Sequence, residues 1–211
     1  MKKIILTVSA IFAMGVLNAQ EIKYGVKAGL NLSTLTGDIT DFTDVKSKAG
    51  FHVGGFVEFK FTDKFAIQPE LLYSTQGAKS EFFDSDDVTF QSEEDNYKLD
   101  YLNLPIMAKY YVAPGFSIEA GPQIGFLLSA KNKYDYTSSF FGEDLSDSGE
   151  EDVKDSFKSI DFGVNFGAGY EFTQNIFVQA RYNLGLSNIA DFDNDFEIKN
   201  SVVQVSFGYK F

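Results

Sequence analysis

Apolar and polar residues alternate along most of the chain after residue 21. From Ile22 to Ser33 every second residue is apolar, and the residues between them are lysine, glycine, asparagine or serine. A period of two over this length predicts a β-strand with one apolar face. The same pattern returns seven times, which predicts eight strands at 22–33, 50–61, 65–76, 100–111, 116–129, 160–172, 176–187 and 200–211.

The segments between these strands are alternately short and long. Short turns occupy 62–64, 112–115 and 173–175, whereas the polar segments are 34–49, 77–99, 130–158 and 188–199. Short turns at one end and long loops at the other are typical of outer-membrane β-barrels, in which the turns face the periplasm. We therefore expect an all-β fold. It is a closed eight-stranded antiparallel up-and-down transmembrane barrel with long extracellular loops, short periplasmic turns and both termini in the periplasm.

The polar face of the strands distinguishes a membrane barrel from a soluble one. A soluble barrel would expose this face to water and would carry charged and hydroxyl side chains there. Glycine weakens an exposed strand, but it fits the narrow interior of an eight-stranded barrel. The polar face here includes Gly25, Gly29, Gly54, Gly121, Gly125, Gly163, Gly167, Gly169, Gly185 and Gly208.

Aromatic residues on the apolar face lie mostly near the short turns, where they predict a girdle at one membrane interface. They are Phe59, Phe61, Phe65, Tyr110, Phe116, Tyr170, Phe172, Tyr209 and Phe211. Pro69, Pro105 and Pro122 fall inside predicted strands, where each removes a ladder hydrogen bond. We expect a β-bulge at each of these prolines.

The first twenty residues predict a secretory signal peptide, with Lys2 and Lys3 before an apolar stretch over 4–17. We expect cleavage after Ala19, so that 1–19 are the signal peptide and 20–211 form one outer-membrane β-barrel domain. No later segment has the long apolar run that a membrane helix needs. The chain has no cysteine, which excludes disulfides and a lipid anchor on cysteine.

The formal net charge is −12. Removal of the predicted signal peptide, which carries two lysines, lowers this charge to −14. Nucleic-acid-binding domains are typically basic, so this charge argues against nucleic acid as a partner. The excess of carboxylates lies in the four long polar segments, and the predicted strands and turns are balanced.

Several segments resemble a known family. They are YLNLPIMAKYY at 101–111, IEAGPQIGFLLSA at 118–130, DFGVNFGAGYEF at 161–172, ARYNLGLSNI at 180–189 and VQVSFGYKF at 203–211. The chain resembles the small outer-membrane β-barrel proteins of Bacteroidota that are called porin-like or PorT-like, with a barrel of the OmpA/OmpX type. The resemblance implies the fold and the outer-membrane location, but little about activity. It also implies that Phe211 is a signal to the outer-membrane assembly machinery.

Six charged residues fall on the inward face, most of them near the short turns: Lys27, Glu58, Glu70, Lys109, Glu119 and Arg181. Buried charges are costly unless they are paired and hydrogen-bonded, so we expect a lumen charge network. In a pore, such a set would act as a selectivity ring. Because an eight-stranded barrel has little interior space, we favour a network that plugs the lumen.

Two other sets of residues are weaker candidates for chemistry. His52 is the only histidine, and a catalytic role would need a serine and a carboxylate aligned with it. We favour a hydrogen-bonding role in the lumen instead. Asp191, Asp193, Asp195 and Glu197 alternate in the last loop and could supply oxygen ligands to a hard cation such as Ca²⁺. Solvated acidic loop residues are the simpler interpretation.

The preferred function is therefore non-enzymatic: a structural outer-membrane anchor with acidic surface loops available for binding. A narrow diffusion pore is the first alternative, and a lipid-modifying barrel enzyme is the second. We expect no cofactor and a monomer. Expected partners are outer-membrane lipid, the assembly machinery and a surface ligand or a secretion or uptake complex.

Overall fold

A computed structural model describes residues 21–41, 43–85, 89–140, 143–191 and 196–211. The predicted signal peptide lies outside these residues. The strands are β1 Glu21–Gly37, β2 Asp44–Lys60, β3 Phe65–Ser85, β4 Thr89–Ala113, β5 Phe116–Phe140, β6 Glu143–Asp152, β7 Ile160–Glu171, β8 Ile176–Gly185 and β9 Ile198–Lys210. Among the described residues, no helix has the length and the apolar composition needed to cross a lipid bilayer.

Eight of the strands form a closed ring. Each pairs antiparallel with its neighbours in the order β4-β3-β2-β1-β9-β8-β7-β5, and pairing of β4 with β5 closes the ring. β6 stays outside the ring and pairs with the last part of β5. Closure gives every ring strand a neighbour on both sides, which is the condition for a sheet in lipid. The predicted eight-stranded up-and-down barrel is confirmed.

The two faces of the strands divide as the alternation predicts. In β9, Val203, Val205 and Phe207 are exposed on the outside, whereas Gln204 and Ser206 between them are buried in the lumen. Most of the predicted aromatic girdle is likewise exposed. Phe59 is an exception, with 7% of its surface exposed. The lumen is thus lined by polar residues and the outer wall by apolar ones.

Three of the four predicted loops are wrong, since 34–49 also lies mostly in strands, at the end of β1 and the start of β2. The polar segments 77–99 and 130–158 are largely strand, because β3, β4 and β5 run for 21, 25 and 25 residues. With β6 and the first residues of β2, which pair with β3 as far as Asp44↔Glu81, they form a sheet that extends beyond the ring. This part is called the extended sheet below. Its two faces are both polar, so these segments lack the apolar periodicity that reveals a strand in a sequence.

The predicted bulges at Pro69, Pro105 and Pro122 are also wrong. At each proline, two residue pairs are missing from the ladder with the preceding strand, and the register is unchanged. Next to Pro69, for example, the pairs step from Phe56↔Glu70 to Phe59↔Ile67. A gap costs hydrogen bonds, but a one-residue slip would turn every following side chain to the opposite face. The register shifts occur elsewhere, for example at Asp100.

Candidate functional site

Arg181 of β8 lies at the centre of a charged layer in the middle of the lumen. Its Nη1 and Nη2 donate to the two oxygens of Glu70 on β3, at 2.8 and 2.6 Å. Its Nε donates to Glu119 on β5. Lys27 on β1 adds a second cation, with its Nζ 2.7 Å from Glu70 Oε2. All four side chains are at most 1% exposed or fully buried, so this middle layer holds two cations and two carboxylates away from water.

A second charged layer lies closer to the short turns. Lys109 of β4 donates to Glu58 of β2 at 2.6 Å, and Lys210 of β9 donates to the same carboxylate at 2.9 Å. Lys210 also donates to Glu171 of β7 at 2.6 Å. The hydroxyl of Tyr111 donates to Glu171 at 2.7 Å. This turn-end layer is likewise neutral, with two cations and two carboxylates.

The amide side chain of Gln68 joins the two layers, and that of Gln179 links two members of the middle layer. Gln68 donates to Glu70 at 2.7 Å and accepts from Lys109 at 3.2 Å. Gln179 donates to Glu119 at 3.2 Å and accepts from Lys27 at 3.3 Å. The six charged residues predicted from the sequence therefore do meet in one network, which has two levels.

Two inward aromatic rings fill space beside the network. Phe56 and Phe177 are buried, and their ring centroids lie 5.5 Å apart in an edge-to-face arrangement. Glycine makes room for both rings, because a Cβ on Gly25 would collide with Phe56 and a Cβ on Gly208 would collide with Phe177. Several inward glycines of the sequence thus have a packing reason.

An apolar cluster closes the other end of the ring. It is formed by Leu35, Ala78, Leu99, Tyr101, Leu127, Ala130, Phe157, Ile189, Ala190 and Ile198, which are all buried. Residues 157, 189 and 190 come from the connections that follow β6 and β8, so these connections fold inward over the ring. The lumen is therefore occupied by side chains at both ends and in the middle.

The extended sheet carries acidic residues at its outermost strand. In β6, Asp147, Glu150, Glu151 and Asp152 are exposed. Lys131 of β5 forms an ion pair with Glu150, and this contact lowers the pKa of the Glu150 carboxyl and raises that of the Lys131 amine. The remaining carboxylates leave this edge strongly negative.

The sequence matches a family model across most of its length. The match covers residues 18–191, and the model is described as the outer membrane protein beta-barrel domain. The chain belongs to this family. A search of curated proteins gives no significant match.

Solved outer-membrane barrels share the fold of this family member. Ail, the attachment invasion locus protein of Yersinia pestis, gives a TM-score of 0.50 at 14% identity, over 91% of this chain and 100% of that chain. Neisserial surface protein A, NspA, gives a TM-score of 0.51 at 13% identity, again over 91% and 100%. Identities this low show a common fold and nothing finer.

His52 has the hydrogen-bond partners of a catalytic histidine without access to a substrate. Its Nε2 lies 2.8 Å from Ser206 Oγ, and its Nδ1 lies 2.7 Å from Asn31 Oδ1. A serine, a histidine and an amide in this order resemble a hydrolase triad. All three side chains are at most 3% exposed, however, and they point into the filled lumen. The arrangement supports the hydrogen-bonding role.

The alternating carboxylates of the last loop do not assemble in the described residues. Asp193 and Asp195 lie outside those residues, and Asp191 is exposed. Glu197 pairs with Lys199, with 2.6 Å between Oε2 and Nζ. Within the part of the chain that the structure describes, no group of three acidic or histidine side chains could hold a metal ion.

Phe211 lies beside the first strand of the barrel. Its backbone N–H donates to the carbonyl of Tyr24 at 2.8 Å, and its ring packs edge-to-face on Tyr209 at 5.3 Å. The side chain is 72% exposed on the outer face. Its role as an assembly signal stays a prediction.

Sequence reasoning missed three members of the charge network: Lys210, Glu171 and Tyr111. The alternation of apolar and polar residues already places all three on the inward face, so this alternation was the signal that could have found them. The sequence does not show how far along the barrel axis each residue lies. Nothing local indicates that residues 58, 111, 171 and 210 meet at one level. The strand register brings them together.

Proposed function

We propose that this chain is a non-enzymatic outer-membrane anchor that holds a rigid β-sheet outside the cell for a binding or structural role. The length of β3, β4 and β5 carries the proposal. A transmembrane strand needs about 9–11 residues, whereas these strands have 21, 25 and 25. Pairing of β4 with β5 continues as far as Thr89↔Phe140. About half of β3 and more than half of β4 and of β5 are therefore available outside a bilayer.

The filled lumen supports an anchor rather than a diffusion pore. Two neutral charged layers, two aromatic rings and an apolar cluster occupy the interior. An eight-stranded barrel is just wide enough for its own side chains, and ions would have to displace this packed interior. The buried position of Ser206 and His52 argues in the same way against a lipid-modifying enzyme.

In this proposal the short turns face the periplasm and the extended sheet faces the outside, as in barrels of this kind. The outer wall contacts outer-membrane lipid, the assembly machinery inserts the barrel, and one copy suffices for the anchor.

Cysteine labelling of intact cells tests both the display and the orientation. The chain has no cysteine, so Ser148→Cys in β6 and Gln174→Cys in a short turn each create a single thiol. A membrane-impermeant maleimide should label Ser148→Cys on intact cells. It should label Gln174→Cys only after the outer membrane has been permeabilised. Labelling in the reverse pattern, or of neither variant in folded protein, would overturn the proposed display.

A further inference from the structure

β6 has one paired edge and one open edge. Its ten residues pair with β5 from Phe140↔Glu143 to Lys131↔Asp152. Among the described residues, no backbone hydrogen bond joins the opposite edge of β6 to another strand. An open edge presents a row of backbone donors and acceptors that another extended chain can continue.

The usual devices that protect an open edge are lysine, proline, bulges or a very short strand. β6 contains neither lysine nor proline, and its ten pairs with β5 continue without a shift of register. Its protection is negative charge, because six of its ten residues are Asp or Glu and none is basic. Negative charge repels some chains and attracts others, so it also selects a partner.

We propose that the open edge of β6 accepts an extended, basic segment of another protein by strand addition. The proposal rests on the display of the extended sheet outside the cell. Residues of an added strand would lie directly opposite those of β6, where pairs of opposite charge are favourable and pairs of like charge are unfavourable. Lysine or arginine is therefore favoured at most positions of the added strand.

Both faces of β6 offer contacts to such a strand. Asp147 and Glu151 are exposed on the face that continues the lumen side, and Glu150 and Asp152 on the opposite face. On the lumen-side face the ring of Tyr134 lies against the edge strand, since a Cβ on Gly149 would be 2.7 Å from its Oη. A cation near a tyrosine ring gains a further attraction. Alternating side chains of one basic strand can thus reach carboxylates on either face.

A second copy of this chain is a poor occupant of the same edge. Two β6 strands paired with each other would place twelve carboxylates in one two-stranded ladder. Like charges directly opposite each other destabilise a strand pair. We therefore expect the barrel to remain monomeric through this edge.

Binding of a defined peptide to the purified full-length barrel in detergent tests the proposal. The probe is a ten-residue peptide in which pairs of lysines alternate with pairs of valines, so that lysine lies on both faces of the added strand. It is blocked at both ends and fluorescently labelled. One control peptide carries an N-methyl group on every backbone nitrogen, which keeps its charge but removes the hydrogen-bond donors of both strand edges. Another control peptide replaces every lysine by glutamate. We expect the first peptide to bind and both controls to bind at least about tenfold more weakly, because strand addition needs both features.

The chain offers a matched pair of variants, because the tripeptide Glu-Glu-Asp occurs twice. It occupies 150–152 in the edge strand β6 and 93–95 in β4, which is paired on both sides. Neutralising 150–152 to Gln-Gln-Asn should weaken peptide binding about tenfold, since several cross-strand charge pairs are lost together. The same change at 93–95 should have little effect. Circular dichroism would confirm that both variants are folded.

Three outcomes would overturn strand addition at β6. The first is equal binding of the N-methylated peptide, which would show attraction by charge alone. The second is an equal loss in the two triple variants. The third is dimerisation through β6, seen by light scattering and lost in the 150–152 variant. If Ser148→Cys is labelled on cells but the peptide does not bind, the proposed exposure of the extended sheet outside the cell is retained. Only the inference of strand addition then fails.

Discussion

At the scale of single residues, the two charged layers hold four carboxylates, and each of the four is bound by at least one cation. Glu70 is bound by Arg181 and Lys27, and Glu119 by Arg181. Removing one partner of a buried ion pair leaves an uncompensated charge, which costs more than the pair itself contributes. The stability of the barrel should therefore depend on neutrality within each layer rather than on any one charge.

Replacement of Arg181 tests this dependence. Arg181→Met should lower the free energy of unfolding by about 3–5 kcal/mol, because it leaves the middle layer with one excess negative charge. Adding Glu119→Gln restores neutrality, with Lys27 and Glu70 still paired, and should recover much of the loss. Urea unfolding in lipid vesicles measures both effects. Lys64→Met in an exposed short turn serves as the control, and an equal stability of the Arg181 and Lys64 variants would contradict the network.

Adjacent glycines on opposite faces of β2 give a second prediction. A Cβ on Gly54 would collide with the carbonyl oxygen of Leu71, whereas a Cβ on Gly55 would have its nearest neighbour at 3.5 Å. Gly54→Ala should destabilise the barrel by about 1–3 kcal/mol through overpacking. Gly55→Ala should be neutral or slightly stabilising. Unfolding midpoints that rank the two variants the other way round would show that the inward close approach is not what requires glycine.

At the scale of elements, β3, β4 and β5 each divide into two parts with different surroundings. The part within the ring has one apolar and one polar face, because one side contacts lipid and the other the lumen. The part in the extended sheet is polar on both faces. The same strand thus changes its sequence pattern at the point where its surroundings change, and only the first part carries a clear alternation.

Arginine substitutions in β7 test the assignment of the lipid-facing side. Val164 lies opposite Pro122 and Leu184 on the outer face. An arginine in the middle of the lipid-facing band costs about 2–4 kcal/mol, so Val164→Arg should reduce the folded fraction in lipid vesicles. Gln174→Arg in the adjoining turn should fold like the unchanged chain. Equal folding yields for the two variants would contradict the assigned face.

At the scale of the whole molecule, closure of the ring and filling of the lumen act together. Closure leaves no open edge within the ring, where lipid offers no hydrogen-bond partner. Filling replaces water in the lumen by paired side chains. The open edge of β6 belongs to the extended sheet and not to the ring.

A planar bilayer tests the closed lumen directly. The unchanged protein should give no steady ionic current, because the charged layers, the aromatic rings and the apolar cluster obstruct the path. Insertion is checked in parallel by the amount of protein recovered with the membrane, so that a lack of inserted protein is not mistaken for a closed lumen. A steady current through inserted protein would favour the diffusion pore instead.

The sequence by itself determined the ring of strands, their number and which of their residues face inward. Alternation has a period of two in any strand that separates lipid from a polar lumen, so local residues such as Ile22 to Ser33 suffice to show it. It also placed Lys27, Glu58, Glu70, Lys109, Glu119 and Arg181 on one face. The preference for a filled lumen followed from that face and from the small size of an eight-stranded barrel.

Only the tertiary structure decided the rest. The extended sheet could not be predicted from residues 77–99 and 130–158, because strands that are exposed to water on both faces have no alternation of apolar residues. The prolines keep their register through cross-strand pairing that no local pattern records. Lys210, Glu171 and Tyr111 join Glu58 because four separate strands bring them to one height. Register is a property of neighbouring strands, and that is why it appears only when the ring is closed.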